Sequence, residues 1–495
     1  MKQHLYVTVA LSATLGLGPL TANSADESLS ATASRSETAT FPAGFDWPAN
    51  PERLQTDISQ KNTPALRAHS WWLWAGINSL DDAGQPIWWE WPTATQTYPY
   101  QPHPGEIKKP GNAHADQTQH GLRGKNALNT PIDLDGPIYP PPTIVDGQCR
   151  STALPTPALP DGPRFQSNGD IMIAGVIYNG SAFDWIQQRQ LYNSDVLTKR
   201  WNGGAGDKDI APFPADSIVL KNMYWPVKGD DFTALPVWRD NFPPGYGQYA
   251  GYETWDSVVI VDPRAKGPRS GQSGVTRYLY HVLDSQGKPI EPKLASGPIF
   301  PVDAFYHQKV DAGFLTAMDP RDRAILDASA CWLYNRPFKA GDYLVAVAMH
   351  IITKEIPQWT LQSLWWSDQP NVGPFAADRP DIPKAQAPGP WRHYLLTVEY
   401  GIESAPGMLP VSFNPYIELA ASHPVSTNCR NCHIRAAWPR SGAVQPAPQA
   451  VSSYEAAGGP GPLVDIQFDD PVFDELMRLD FQWAVSDRAG KPPRP

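Results

Sequence analysis

The chain is poor in cysteine and in charged residues. It contains four cysteines among 495 residues, and Asp, Glu, Lys and Arg together make up 18% of it, below the roughly 25% usual in soluble proteins. The basic residues form no cluster, and acidic residues outnumber them by 50 to 40, for a net charge of −10. This composition argues against nucleic acid or an anionic membrane as the partner.

Long apolar runs are absent beyond the N-terminus. Residues 6–20 form an apolar segment between a short basic start and the small residues Ala22-Asn23-Ser24. The segment is too short for a stable membrane anchor, and its flanks are typical of a secretory signal peptide. We therefore predict a signal peptide over residues 1–24, a flexible Ser/Ala/Thr-rich leader over residues 25–41, no membrane anchor, and a periplasmic or otherwise exported location.

Proline and tryptophan, by contrast, are abundant. The 54 prolines are about twice the usual share, and 19 tryptophans contribute to a hydrophobic content of 41%. Low charge and high proline alone would indicate disorder, but this much apolar material can bury a large core. We predict a Trp/Pro-rich β body over residues 42–412. The tryptophan-dense runs at 69–74 and 88–91 are interpreted as core packing, with ligand stacking as the alternative.

Several segments between residues 170 and 400 are typical of β-strands. The strongest is 342–354, an apolar run rich in β-branched residues, while 217–225 alternates like a half-buried strand. One helix is predicted from a cap at Asn179-Gly180-Ser181 to about Trp201. Further strands are predicted at 170–178, 253–262, 276–284, 359–366 and 392–400. The predicted fold class is mainly β, an antiparallel sandwich or barrel-like body, loop-rich and with few helices.

The most specific pattern is C-x-x-C-H at Cys429-Arg430-Asn431-Cys432-His433, the attachment signature of a c-type haem. Two thiols one helical turn apart can add across the vinyl groups of the haem, and His433 then becomes the proximal iron ligand. The alternatives are a zinc site, which would need two more ligands at similar spacing, and a redox dithiol, which would lie at the start of a helix that follows a strand. We predict one covalently attached haem c, bound by Cys429, Cys432 and His433 within a haem-binding segment over residues 413–495.

Two of the four cysteines lie outside the haem motif. In an oxidising compartment Cys149 and Cys331 could form a disulfide. The alternative is two separate buried thiols. The sequence leaves both possibilities open, because it does not report how far apart the two residues lie in space.

The sixth iron ligand decides the chemistry. Met477 lies 48 residues beyond Cys429 (477 − 429), a spacing compatible with a Met-ligated cytochrome, but it falls in a predicted helix over 473–478 and could be a core residue. His350 could reach a haem docked on the sheet, or be a satisfied core histidine. At an open sixth position, His350 would act as a base and Lys221, Lys354 or Arg435 would stabilise negative charge. His423 is a further candidate ligand whose short tether to the motif leaves its reach open, and Met408 and His393 are weaker candidates.

A late haem motif on a long body resembles a recurrent set of exported bacterial proteins, a cytochrome c-like group without an assigned function. The residues that carry the resemblance are 217–225, 350–366 and the motif followed by Asp480-Phe481. The likeness extends over residues 170–490, and only the haem motif in it is specific. It implies a single haem on a scaffold unlike the small electron-carrier cytochromes, and it supplies no substrate.

Three functions from different classes follow from these residues. The first is a periplasmic mono-haem c-type cytochrome-like protein that transfers single electrons to a redox partner protein. The second is a haem-dependent oxidoreductase, peroxidase- or oxygenase-like, that acts on a small-molecule substrate bound by the β body. The third is a haem-based sensor of a ligand or of redox state. The sequence does not decide whether the protein is an enzyme.

Overall fold

The computed structural model describes part of the chain, and all described residues belong to one unit over Ser36–Pro495. The predicted signal peptide and most of the predicted leader lie outside the described residues. Within the part that is described, no helix is long and apolar enough to cross a membrane. The described residues are 39–81, 84–100, 134–135, 143–150, 171–203, 209–239, 257–280, 282, 290–404, 407–417, 428–439, 463–464 and 467–492.

Helices and strands contribute nearly equal shares, 29% and 28% of the described residues. The body does contain antiparallel sheets, as predicted, but the fold is mixed α/β and the prediction of a mainly β protein is wrong. The sheets of the described residues stay open and form no closed barrel. The helices are α1 (Pro51–Ser59), α2 (Thr63–Ile77), α3 (Ala94–Thr97), α4 (Gly180–Gln188), α5 (Ser194–Asn202), α6 (Ala312–Ala317), α7 (Pro320–Tyr334), α8 (Cys429–His433) and α9 (Trp483–Arg488).

The strands are β1 (Leu134–Asp135), β2 (Thr143–Val145), β3 (Gln148–Arg150), β4 (Ile173–Tyr178), β5 (Ile218–Val227), β6 (Thr233–Pro236), β7 (Val258–Asp262), β8 (Arg269–Tyr278), β9 (Lys293–Pro301), β10 (His307–Lys309), β11 (Tyr343–Thr353), β12 (Thr360–Trp366), β13 (Tyr394–Glu399), β14 (Met408–Leu409), β15 (Ala437–Trp438), β16 (Leu463–Val464) and β17 (Met477–Arg478). The main sheet has the order β1-β4-β5-β11-β12-β13, and β10 also pairs with β11. Every pairing in it is antiparallel. A second sheet has the order β6-β7-β9-β8.

The predicted strands agree best with the structure in the main sheet. The segments predicted at 170–178, 217–225, 342–354, 359–366 and 392–400 correspond to β4, β5, β11, β12 and β13. Outside the main sheet the agreement is looser. β8 ends at Tyr278, so the described residues 279, 280 and 282 of the strand predicted at 276–284 lie beyond it, and the others beyond Tyr278 lie outside the described residues. β7 covers residues 258–262 of the strand predicted at 253–262, and residues 253–256 lie outside the described residues.

The first tryptophan-dense run lies in a helix. Asn62 caps α2 by accepting a hydrogen bond from the N–H of Ala65 at 3.4 Å, and Pro64 occupies the first turn, where proline is favoured because the N–H groups have no intrahelical partner. Trp74 is fully buried and donates its indole N–H to the carbonyl of Trp391 at 3.1 Å. The tryptophans therefore pack in the core, as predicted, but from a helix.

The single helix predicted over 182–201 is wrong, because two helices occupy this stretch. The chain leaves α4 at Gln190, which adopts a left-handed φ of 53°. Asn193 then caps α5 by accepting a hydrogen bond from the N–H of Asp195 at 3.0 Å. Asparagine competes with helical hydrogen bonding in mid-helix and favours the cap position instead.

Both faces of the main sheet are covered. Successive side chains of a strand point to opposite faces, and neighbours in β11 accordingly belong to different apolar clusters. Ile351 packs in the larger cluster, together with the tryptophans of α2. Ile352 packs in a second cluster, together with Cys429 and Ile434. The C-x-x-C-H segment therefore docks on one face of the main sheet.

A disulfide joins Cys149 in β3 to Cys331 in α7, and their Cα atoms are 5.6 Å apart. This settles the alternative that the sequence left open. The bridge links positions 182 residues apart in the chain. It leaves Cys429 and Cys432 outside any disulfide.

Candidate functional site

The helical turn α8 begins at an anchored cap. Asn428 accepts a hydrogen bond through Oδ1 from the N–H of Asn431 at 2.9 Å. Its Nδ2 donates to the carbonyl of Pro410 at 2.8 Å and to the carboxylate of Glu399 at the end of β13. Because Asn428 holds both the turn and the strand, the start of the haem motif is fixed against the main sheet.

The two thiols of the motif lie on this one turn but in different surroundings. Cys429 is buried, and its Sγ lies 3.8 Å from Oγ of Ser363 in β12 and 3.5 Å from Oγ of Ser412. Cys432 is half-buried, and its carbonyl accepts a hydrogen bond from the indole N–H of Trp483 at 2.9 Å. One thiol therefore contacts the sheet, while the other remains partly accessible.

His433 is oriented by a hydrogen bond to the backbone. Its Nδ1 lies 2.9 Å from the carbonyl oxygen of Phe481, and a carbonyl can only accept, so Nδ1 carries the proton. Burial lowers the pKa of His433 to about 4; the Phe481 carbonyl acts in the opposite direction, and the positive charge of Lys221 lowers the pKa further. The imidazole is therefore neutral at pH 7, and Nε2 has its lone pair available for a metal.

The carbonyl that orients His433 belongs to an unusual turn. Asp480 and Phe481 both adopt left-handed backbone conformations, with φ of 48° and 67°, a geometry that costs about 1–3 kcal/mol for each residue other than glycine. Nζ of Lys354 lies 2.5 Å from Oδ1 of Asp480 and 2.6 Å from the carbonyl of Pro357. The N–H of Phe213 donates to Oδ2 of Asp480 at 3.0 Å. These contacts hold the turn in the conformation that points the Phe481 carbonyl at His433.

A row of side chains crosses the sheet beneath the haem motif. Val176, Lys221, His350 and Ser363 stand directly opposite one another on β4, β5, β11 and β12. Directly opposed residues of antiparallel strands point to the same face. Ser363 contacts Cys429, so the row runs from the first thiol of the motif across the centre of the sheet.

Three residues of this row, Val176, Lys221 and His350, are half-buried, whereas most neighbours on their strands are fully buried. Lys221 is the one residue of β5 that is not fully buried, and Val176 is the one such residue of β4. Within β11, His350 is the one such residue after the first. Cys432 and His433 of the facing segment are also half-buried. The half-buried residues of the sheet and of the motif therefore belong to the two segments that meet at Cys429.

Burial and a neighbouring cation favour a neutral His350. Burial lowers the pKa of His350 to about 3, and the positive charge of Lys221 on the neighbouring strand acts in the same direction. The side chain is therefore an unprotonated imidazole at neutral pH. Lys221, the cation, and His350, the base, therefore lie side by side on the face of the sheet that Cys429 contacts.

Met477 is a buried residue of β17, with 1% of its surface exposed. The helix predicted over 473–478 is wrong, because a 3-10 turn occupies Pro471–Phe473 and Met477 then pairs with Trp438 of β15. Met477 lies four residues before Phe481 in the segment that supports His433. Its role as an iron ligand stays a prediction.

The weaker ligand candidates lie elsewhere. His393 is half-buried and stacks on Trp366, with ring centroids 6.3 Å apart, and Trp366 belongs to the cluster on the sheet face opposite Cys429. Met408 lies in β14, which pairs with β16. His423 lies outside the described residues. Of the histidines proposed as ligands beside His433, His350 is the one that the described fold brings to the haem motif.

The alternative cations have structural partners. Lys354 is buried and bound to Asp480 in the turn described above, so it is not a solvated surface lysine. Arg435 donates through Nε to the carbonyl of Asn431 at 3.1 Å, at the end of α8. Burial lowers the pKa of Arg435. Among the cations considered, Lys221 is the one aligned with His350.

Sequence reasoning missed the residues that support the motif. Asn428 carries a local signal, since asparagine is favoured immediately before a helix. Glu399 and Lys354 carry none, because their partners Asn428 and Asp480 lie 29 and 126 residues away. No group of three or more His, Cys, Asp or Glu side chains in the described ranges is arranged to hold a metal ion. No family model, curated protein or solved structure matches this chain.

Proposed function

We propose that this protein carries one haem c on Cys429, Cys432 and His433 and uses it to transfer single electrons in an exported compartment. The observation that carries the proposal is the hydrogen bond from Nδ1 of His433 to the carbonyl of Phe481. Histidines that bind a metal through one ring nitrogen commonly donate the other N–H to a carbonyl or carboxylate, which fixes the ring and raises its basicity as a ligand.

The residues present fit a haem c. The two thiols share one helical turn and form no disulfide. His433 follows them directly and is held as a neutral imidazole with Nε2 available. The facing sheet presents the half-buried residues Val176, Lys221 and His350. When bound, the group supplies an iron couple that exchanges one electron at a time.

The chain's own residues prepare this site for electron transfer. Cys429 is buried against the sheet, so it anchors one side of the group away from water. Cys432 is half-buried and leaves the other side partly accessible. A redox partner protein could approach at this accessible side. The rigid support of His433 limits the reorganisation that accompanies a change of charge.

The disulfide between Cys149 and Cys331 supports the proposed location. Disulfides persist in exported proteins and are rare where thiols are kept reduced. The predicted signal peptide and the haem motif lead to the same compartment. We therefore place the proposed activity in the bacterial periplasm or an equivalent exported space.

The test is a redox titration of the exported protein, matured in cells that attach haem c and followed by visible absorbance. We expect a reversible one-electron transition that is lost with Cys429→Ala/Cys432→Ala. The double variant Cys149→Ser/Cys331→Ser is the matched control, because it removes two cysteines outside the motif and should keep the transition. A matured wild-type protein without a redox transition would rule out the proposal.

A second candidate function rests on the pairing of His350 with Lys221. A neutral imidazole beside a cation could serve as a general base and a stabiliser of negative charge in a haem-dependent oxidoreductase. This function requires a small-molecule substrate or peroxide to reach the haem beside His350. Turnover of peroxide with generic electron donors, lost in His350→Ala, would favour it. Absence of turnover in a fully haem-loaded protein would count against it.

A further inference from the structure

Resting on the haem attachment proposed above, we infer that His350 is the second axial ligand, so that the haem is held between two histidines. This assignment gives the sheet a direct part in the redox site. It also closes the sixth coordination position to gases and small substrates. Three features of the fold support it.

The first feature is the orientation of His433. Its Nδ1 edge faces the carbonyl of Phe481, and Nε2 lies at the other edge of the ring. The iron therefore lies on the side of His433 away from Phe481. Residues 477–481 occupy the supporting side, because they run alongside residues 436–438 through the pairing of Met477 with Trp438 and the hydrogen bond from the N–H of Leu479 to Ala436 at 2.8 Å.

The second feature is the register of the sheet. Ser363 contacts Cys429 at 3.8 Å, and His350 stands directly opposite Ser363 on the next strand. Adjacent strands are about 4.8 Å apart, so His350 is one strand away from the first anchoring thiol and Lys221 is two strands away. A planar group tethered at Cys429 and extending over the row meets His350 before it meets Lys221.

The third feature is chemical. Of the half-buried residues in the row, Val176 has no ligating atom and Lys221 offers an amine, which is not among the common ligands of haem iron. His350 presents an imidazole, which is a common ligand for haem iron. Ile352, two residues along β11 on the same face, packs in the apolar cluster that contains Cys429 and Ile434, so this face of β11 lies against the motif. Met477, the alternative ligand, belongs to the supporting segment and not to the sheet.

A bis-histidine site has measurable consequences. Two strong nitrogen ligands give a low-spin haem that does not bind carbon monoxide readily. Replacing one histidine by methionine raises the reduction potential. Replacing it by alanine opens the sixth position. These changes report ligation itself and do not depend on any enzymatic activity.

The experiment compares four haem-loaded proteins, namely wild type, His350→Ala, Met477→Leu and His307→Ala, by electronic and electron paramagnetic resonance spectra. His307 is the matched control, because it is a half-buried histidine on the edge strand β10. We expect wild type, Met477→Leu and His307→Ala to be low-spin and inert to carbon monoxide. His350→Ala should become high-spin and bind carbon monoxide, and added imidazole should restore the low-spin spectrum.

Two results would overturn the assignment. One is a wild-type protein that binds carbon monoxide readily. The other is a His350→Ala protein that keeps the wild-type spectrum, whatever the spectrum of Met477→Leu. If His350→Ala does not fold, His350→Met serves instead, and a reduction potential no higher than that of wild type contradicts the inference. Absence of covalent haem from all variants, wild type included, would defeat the proposed function instead.

Discussion

The ion pair between Lys354 and Asp480 should contribute more to stability than an ordinary surface pair. Its side chains are 6% and 12% exposed, and it closes the turn that presents the Phe481 carbonyl to His433. Removing one member of a buried pair leaves the other charge without compensation and typically costs about 3–5 kcal/mol. We expect each of Lys354→Met and Asp480→Asn to lower the free energy of unfolding by about this amount.

The choice of substitutions isolates the charge. Asparagine tolerates the left-handed conformation of Asp480, and its carbonyl oxygen can still accept the hydrogen bond from the N–H of Phe213. The double variant Lys354→Met/Asp480→Asn removes both charges together. Because a buried pair contributes little beyond a neutral replacement, the double variant should lose much less stability than the sum of the two single variants.

Urea unfolding of the four proteins, followed by tryptophan fluorescence, completes this double-mutant cycle. The midpoint potential of the haem-loaded proteins adds a readout that a purely structural role would not change. We expect the potential to shift in Asp480→Asn, because the orientation of His433 depends on this turn. Single variants that each lose under about 1 kcal/mol, as exposed pairs do, or losses that simply add, would refute the reasoning.

Three further outcomes follow from other parts of the fold. Asn428→Ala should lower the free energy of unfolding by about 1–2 kcal/mol, measured by urea denaturation, because α8 loses its cap; a change within error would contradict the role of Asn428. Burial raises the pKa of Glu355, but His69, Thr353 and the N–H of Ala49 outweigh it and the net pKa is lowered below 4.5. Wild type should therefore lose stability as pH falls below 4.5, whereas Glu355→Gln should lack this part of the loss; equal pH profiles would contradict it. Cys331→Ser should lower stability by about 3–5 kcal/mol, because the bridge constrains a long loop in the unfolded chain, and reductant should affect wild type alone.

The strands of the main sheet could be predicted because their side chains are mostly buried and rich in β-branched residues. β11 is the clearest case. The helices α1 and α2 could have been predicted from Asn50-Pro51 and Asn62-Thr63-Pro64, which are cap and first-turn signals. The tryptophans that follow obscured them, since aromatic residues also favour strands.

The errors at the C-terminus have a different origin. Met477 and Arg478 follow a stretch with helical composition, yet they pair with Ala437 and Trp438. Non-local pairing of this kind overrides local propensity and cannot be read from a single sequence. The same limit applies to the disulfide between Cys149 and Cys331.

The candidate site likewise has a part that depends on local sequence and a part that depends on non-local contacts. The C-x-x-C-H motif is local, and its spacing alone identified Cys429, Cys432 and His433. The alignment of Lys221 with His350 depends on the register between two strands that are far apart in sequence. The position of the Phe481 carbonyl depends on a turn that Lys354, one residue beyond the end of β11, holds through its ion pair with Asp480. The anchor was therefore predictable, and the surroundings that decide its chemistry were not.

The most direct test of the account is the intact mass and pyridine haemochrome spectrum of the exported protein after denaturation. The account predicts that the wild-type protein keeps one haem per chain after denaturation, with the spectrum of two thioether bonds. The variant Cys429→Ser should either show the spectrum of one thioether bond or lose the haem. A wild-type protein matured under the same conditions that releases all its haem on denaturation, or carries none, would contradict it.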